Sequence, residues 1–191
     1  MLTRPKSQRV GIFIDIQNLY HSAKHLYGGR VNYRELIREL VAGRQLIRTV
    51  GYVVKSETIL ATLGETHGRD PRDEQRREAR GLSSEAAFFD ALTKNGIELR
   101  MKDLQVFPGG MKKADWDVGM AVDAIRMASF LDVIILVTGD GDFIPLVEYL
   151  KWGLGREVEV AAFGRSASSK LKEAADFFVN LEEVPKVILK R

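Results

Sequence analysis

The stretch Asp132–Leu150, DVIILVTGDGDFIPLVEYL, constrains the fold more than any other part of the chain. Val133 to Val137 is an unbroken apolar, mostly β-branched run, the mark of a strand buried on both faces of a parallel sheet. Thr138-Gly139-Asp140-Gly141-Asp142 follows directly, and Phe143, Ile144, Leu146, Val147 and Leu150 then recur at helical spacing. A buried strand thus ends in a Gly-rich turn holding two carboxylates and restarts as a helix. Open α/β sheets place their ligands at the carboxyl ends of such strands. Asp140 and Asp142, two residues apart, can help hold a divalent cation through oxygen ligands. The ordinary alternative is that Asp142 caps the helix starting at Phe143 and Asp140 fills a turn.

The rest of the chain repeats the strand–helix alternation. Met1 to Gln8 is a polar leader containing Pro5, expected to fray. Arg9–Asp15 reads as a buried strand, itself ending in an Asp, and Asn18–Tyr27 as a helix stopped by Gly28-Gly29. A second helix is expected over Tyr33–Val41 with Leu36, Ile37 and Leu40 on one face, then a strand over Leu46–Val54. Residues 56–82 change texture: glycines, Pro71 and the charge-dense RDPRDEQRREAR read as an exposed excursion with a helix around Asp73–Arg80. That excursion is either a solvated charged face or an Arg-bearing flap, with Arg72, Arg76, Arg77 and Arg80, beside a polyanion site. Ser83-Ser84-Glu85 can cap a helix that ends at Asn95-Gly96, and Ile97–Leu104 alternates like a strand. Asp115 or Asp117 begins another helix, whose apolar face is read as Val118, Ala121, Val122, Ile125 and Ala128. Glu157–Phe163 is a strand, Ser168–Ala175 a helix, and Phe177–Leu181 a short closing strand. This order predicts an α/β fold, a mainly parallel sheet with helices on both faces. The expected organisation is a leader over 1–8, one domain over 9–182 and a tail over 183–191.

Composition narrows the chemistry. With 191 residues and no cysteine, disulfides, zinc–thiolate sites and thiol nucleophiles are excluded. No apolar run reaches the ~20 residues that cross a bilayer, and the N-terminus lacks a signal-peptide pattern. The reading is therefore no membrane partner and a cytoplasmic address. A net charge of +3 and a pI near 9.1 permit a nucleic-acid partner without demanding one. The oligomeric state stays open, a homodimer included.

Carboxylates recur at three element junctions. Asp15 ends the first strand, Asp140 and Asp142 follow the central one, and Asp115 and Asp117 open the helix leading into it. Parallel neighbours bring their carboxyl ends to one rim, so Asp15 and Asp140 become neighbours if their strands pair. Carboxylates crowded in this way raise one another's pKa. A divalent cation resolves the conflict, and Mg²⁺ or Mn²⁺ suits an oxygen-only set. Such an ion can activate water for attack on phosphorus.

IFIDIQNLY, DWDVGMAVDAI and VILVTGDGDFIPLVEYLKWGLGREVEVAAFG together resemble the NYN domain, in particular its LabA-like bacterial branch, over roughly Arg9 to Leu181. The resemblance implies a PIN-like, Rossmannoid three-layer α/β/α sandwich and metal-dependent ribonuclease activity on RNA. It also implies an acidic set of Asp15, Asp117, Asp140 and Asp142, with Asn18 as polar companion. It favours Asp117 over Asp115 as the site residue.

Other residues carry two readings each. Asn18 can instead cap the first helix. Asp123, off the face of Asp117 at helical spacing, is read as a salt-bridging residue. His21 and His25 have the spacing of a transition-metal pair but lack a third ligand, so they read as a structural or surface pair. Lys112 and Lys113 are candidate phosphate contacts or solvated lysines; Thr138 and Ser166 offer hydroxyls at strand ends for substrate, which capping also explains. Two rival functions remain beside a nuclease. One is a non-catalytic RNA-binding or regulatory module. The other is an aspartyl phosphatase, which would want an acid two residues after Asp15, where the chain has Gln17.

Overall fold

The computed structural model describes residues 5–55, 85–103, 105–106, 112–113 and 116–190. Its centre is a sheet of six strands: β1 (Arg9–Asp15), β3 (Gln45–Lys55), β4 (Glu98–Asp103), β7 (Val133–Val137), β8 (Glu157–Ala162) and β9 (Phe177–Asn180). Their order is β4-β3-β1-β7-β8-β9, and every neighbouring pair runs parallel. Two-residue strands complete the set: β2 (Arg30–Val31) pairs with β10 (Ile188–Leu189), and β5 (Gln105–Val106) with β6 (Lys112–Lys113).

Helices cover both faces. On one lie α1 (Ile16–Tyr27), α2 (Tyr33–Val41) and α3 (85–94), meeting Ile12, Ile14, Val133, Ile135 and Val137. On the other lie α4 (Asp117–Met127), α5 (Ile144–Glu148) and α6 (Ser169–Ala174), meeting Phe13, Ile134, Leu136, Val158 and Val160. All five residues of β7 are fully buried. That is why the run is apolar without alternation, and each such side chain contributes ~1.5–3 kcal/mol relative to exposure. The architecture is the α/β sandwich read from the sequence, with a sheet that is wholly parallel.

The chain leaves β1 toward β3 on one side and later returns to add β7 on the other. The gap between the carboxyl ends of β1 and β7 is therefore a topological switch point, the crevice in which such sheets bind ligands. Ile14 is in register with Val137, so Asp15 and the Thr138–Asp142 turn share that rim.

Two features depart from the sequence reading. First, α4 is turned: Met120, Ala124 and Met127 are buried, while Val118, Val122 and Ile125, read as inward, are 73%, 45% and 38% exposed. Both stripes repeat with the same helical spacing, so periodicity alone does not choose between them. Tertiary partners do, because Asp123 accepts hydrogen bonds from the Tyr52 hydroxyl (3.1 Å) and Arg100 Nε (3.2 Å) and fixes the rotation. Second, Arg44 and Glu159 form a fully buried ion pair. Its two bonds measure 2.8 and 3.1 Å, and Arg44 also donates to the Leu40 and Val41 carbonyls. This pair joins the end of α2 to the inner face of β8.

Candidate functional site

Asp15 ends β1 and also caps α1: its Oδ1 accepts the Asn18 amide at 3.0 Å. The sequence left open whether Asn18 is the cap; the structure gives that task to Asp15. Asn18 instead reaches across the rim, where its Oδ1 accepts the Gly139 amide at 3.1 Å. One side chain thus ties the start of α1 to the turn after β7.

That turn is built from its own polar atoms. Asp140 donates its amide to Thr138 Oγ1 (3.2 Å), and Asp140 Oδ1 accepts the Asp142 amide (3.0 Å). The cap of the following helical turn, Gly141–Phe143, is therefore Asp140 rather than Asp142, because the chain first makes one tight 3₁₀ turn before α5. Gly139 is a position where only glycine fits without displacement. A Cβ there would stand 3.0 Å from the Ser166 carbonyl oxygen and 3.1 Å from Ala167 Cα. The Gly139 carbonyl also accepts the Ser168 amide at 2.9 Å, which locks the turn against the loop after β8.

Asp117, in the first turn of α4, completes the rim. Carboxylate oxygens of Asp117, Asp140 and Asp142 lie within 4.8 Å of one another; Asp117 and Asp140 are half-buried and Asp142 is exposed. Asp15 stands beside this trio. Burial pushes its carboxyl pKa up to about 6, and the charges of Asp117 and Asp140 push the same way against the Asn18 and Gln17 amides. Three converging carboxylates, with a fourth whose pKa is raised chiefly by burial, are an all-oxygen donor set. It fits a hard divalent cation such as Mg²⁺ or Mn²⁺ and offers nothing to a soft one.

The remaining sequence candidates divide. Thr138 is buried, and its hydroxyl is engaged with the Asp140 amide, so it shapes the turn from beneath rather than facing outward. Ser166 is exposed at the rim, with its hydroxyl donating to the Phe163 carbonyl at 3.3 Å. Lys112 and Lys113 form β6, and their side chains lie outside the described residues, as do Asp115 and the whole 56–82 excursion with its four arginines. Asp123 is the salt-bridging residue expected of it. His21 and His25 stack at 6.0 Å on the exposed side of α1 and join no metal-binding group among the described residues.

Sequence reasoning missed Trp116. The residue sits at the cap position of α4, where no side chain bonds the helix amides, and its indole N–H donates to the Val53 carbonyl at 2.8 Å. The D-W-D spelling was the available signal: a large aromatic fixed beside a site acid.

A family model, the NYN domain, matches residues 9–182. The chain is similar over its full length to the low amplitude and bright protein LabA of Synechococcus elongatus. The two are 25% identical over 196 residues, an alignment covering 100% of this chain and 91% of that protein. Among solved structures, a protein of unknown function from Vibrio parahaemolyticus superposes with a TM-score of 0.74 at 26% identity. That match covers 98% of this chain and 100% of the other. No described helix is long and apolar enough to cross a membrane.

Proposed function

The chain belongs to the NYN domain family, part of the PIN-like nuclease superfamily, and from that premise we propose that it is a Mg²⁺- or Mn²⁺-dependent ribonuclease of the cytoplasm. The observation that carries this reading is the convergence of Asp117, Asp140 and Asp142 within 4.8 Å at the switch-point rim. Asp15 adds a fourth carboxyl whose pKa is raised by burial and, to a lesser degree, by the charges of Asp117 and Asp140.

Asp117, Asp140 and Asp142 would hold the cation, and Asp15 would complete its negative surroundings. Once bound, such a cation supplies charge neutralisation for a phosphodiester under attack and lowers the pKa of water. The chain's own contribution is positioning. Asn18 sets the width of the gap between β1 and β7 by accepting the Gly139 amide. The Thr138 and Asp140 side chains hold the turn so that the Asp140 and Asp142 carboxylates face one point. The chain has no cysteine, and its stacked histidines stand on the exposed side of α1. In this reading water is the nucleophile, and the products carry a 5′-phosphate and a 3′-hydroxyl.

The test is cleavage of RNA by the purified chain with Mg²⁺ or Mn²⁺ added, with chelator, and in Asp117→Asn and Asp140→Asn. The expected result is metal-dependent cutting that leaves 5′-phosphate ends and falls at least ~100-fold in either variant, the scale of one lost electrostatic stabiliser. Full activity in chelator, or 2′,3′-cyclic phosphate ends, overturns the mechanism. Binding of Mn²⁺ and RNA without cutting favours a regulatory module instead.

A further inference from the structure

We propose that Trp116 is a stacking platform for an unpaired base of the RNA, seating a nucleotide beside the acidic trio; the proposal rests on the ribonuclease reading and deepens it. Three observations carry it.

The first is position. Trp116 directly precedes Asp117, and its indole is bonded to Val53, near the carboxyl end of β3. The ring therefore flanks the acidic rim on its β3–β4 side.

The second is rigidity. The N–H is bonded at 2.8 Å, and the Tyr52 ring lies 5.6 Å away at 56°. The six-membered ring folds back over the first turn of α4 so closely that a Cβ on Gly119 would stand 2.6 Å from its Cε3. An aromatic already fixed in one orientation loses little entropy when a base stacks on it.

The third is chemistry. Trp116 is only half-buried, and Lys102, at the end of β4, places its ammonium 5.8 Å from the ring centroid. A partly exposed indole with a cation over it is the kind of pairing that single-stranded nucleic-acid channels use, the ring for the base and the cation for the backbone. A base inside a duplex cannot reach such a face, which commits the proposal to single-stranded RNA.

The chain has two tryptophans. Trp152 is 84% exposed and precedes β8, near the amino ends of β8 and β9, on the far side of the sheet from the rim. Trp152→Phe therefore leaves Trp116 as the sole indole reporter. In that background, a short labelled single-stranded RNA is titrated with Ca²⁺ replacing the catalytic ion, and indole emission and RNA anisotropy are followed together. The same is done with an abasic strand of equal length, and cleavage is measured separately in Mn²⁺.

The expected result is quenching of Trp116 with the same midpoint as the anisotropy change, and no quenching by the abasic strand. Trp116→Leu should weaken RNA binding about ten-fold while leaving abasic-strand binding unchanged, the scale of one lost base–aromatic stack. If RNA binds and is cut but Trp116 emission does not change, the platform is refuted and the ribonuclease reading stands. If both strands quench alike, the contact is with the backbone and the proposal is again refuted. If RNA is neither bound nor cut, the ribonuclease reading falls and takes the platform with it. Because the emission measurement uses native Trp116, its outcome does not depend on how the Leu variant folds.

Discussion

Replacing Asp15 with Asn removes one charge from the rim while keeping the oxygen that caps α1. In the metal-free protein the ionised Asp15 is a burden on folding. Its carboxyl titrates at about 6 against an ordinary 3.8. At ~1.36 kcal/mol per pKa unit, that gap corresponds to ~3 kcal/mol. The folded pKa lies above the unfolded one, so between 3.8 and about 6 the folded chain binds a proton that the unfolded chain has released. Stability therefore falls as pH rises through that window, and the full penalty is present above it. Asp15→Asn carries no such penalty. In chelator at about pH 8 the variant should be more stable by up to ~3 kcal/mol, and the advantage should shrink toward zero as pH falls to about 4. For a chain of this size, ~3 kcal/mol is roughly 6–12 °C in melting temperature, readily resolved by melts of both proteins across the pH series. Saturating divalent cation should narrow the gap, because the wild type gains ~2.7 kcal/mol at a hundred times its Kd and the variant binds less. A variant less stable than wild type in chelator at about pH 8, or a gap independent of pH, would show that no such penalty exists. Either outcome would mean that the Asn18 and Gln17 amides favour the charge more than burial and the neighbouring carboxylates oppose it.

Two further perturbations test the support around the site. Arg44→Met removes both guanidinium bonds to the fully buried Glu159 carboxylate and should cost ~3–5 kcal/mol in urea melts, most of it regained in Arg44→Met/Glu159→Leu; a double variant as unstable as the single would show that the pair is not the source of the cost. Gly139→Ala pushes a methyl against the Ser166 carbonyl and Ala167 Cα, both backbone atoms. It should cost ~1–3 kcal/mol and weaken Mn²⁺ binding by displacing Asp140, whereas unchanged melting and affinity would show that the turn has room to spare.

The parts of this molecule that could be read from its sequence are those whose signal is local or repeated. Val133–Val137 is buried on both faces, so the run had to be apolar throughout, and nothing distant was needed to see it. The shared rim of Asp15 and Asp140 followed because parallel strands align their carboxyl ends, and β1 and β7 do pair. Where a choice depended on distant partners, the sequence was silent or misleading. The rotation of α4 is set by Tyr52 and Arg100 on two other strands. Its own spacing fits either stripe, and the more hydrophobic-looking one faces outward. Glu159 read as one polar residue in a strand, and its partner lies 115 positions away. Asn18 reads as the polar companion of the acids with a helix cap as the alternative, and the partner of its side chain, the Gly139 amide 121 positions away, could not be read locally.

The bond from Asn18 to Gly139 also opposes the repulsion within the crowded acidic rim. Repulsion among Asp15, Asp117 and Asp140 acts to part β1 from the turn that follows β7. Within the sheet these strands are joined through Ile14 and Val137, but the ladder stops there, one residue short of the acids. Asn18 takes over at that point: its backbone amide is on Asp15 and its side chain on the amide of Gly139. A carboxylate at position 18 would add a charge to the rim, and an alanine would leave the Gly139 amide without its acceptor. The neutral amide supplies an oxygen acceptor without a charge, which is why Asn suits a position that must hold four acidic groups at one rim while adding nothing to their repulsion.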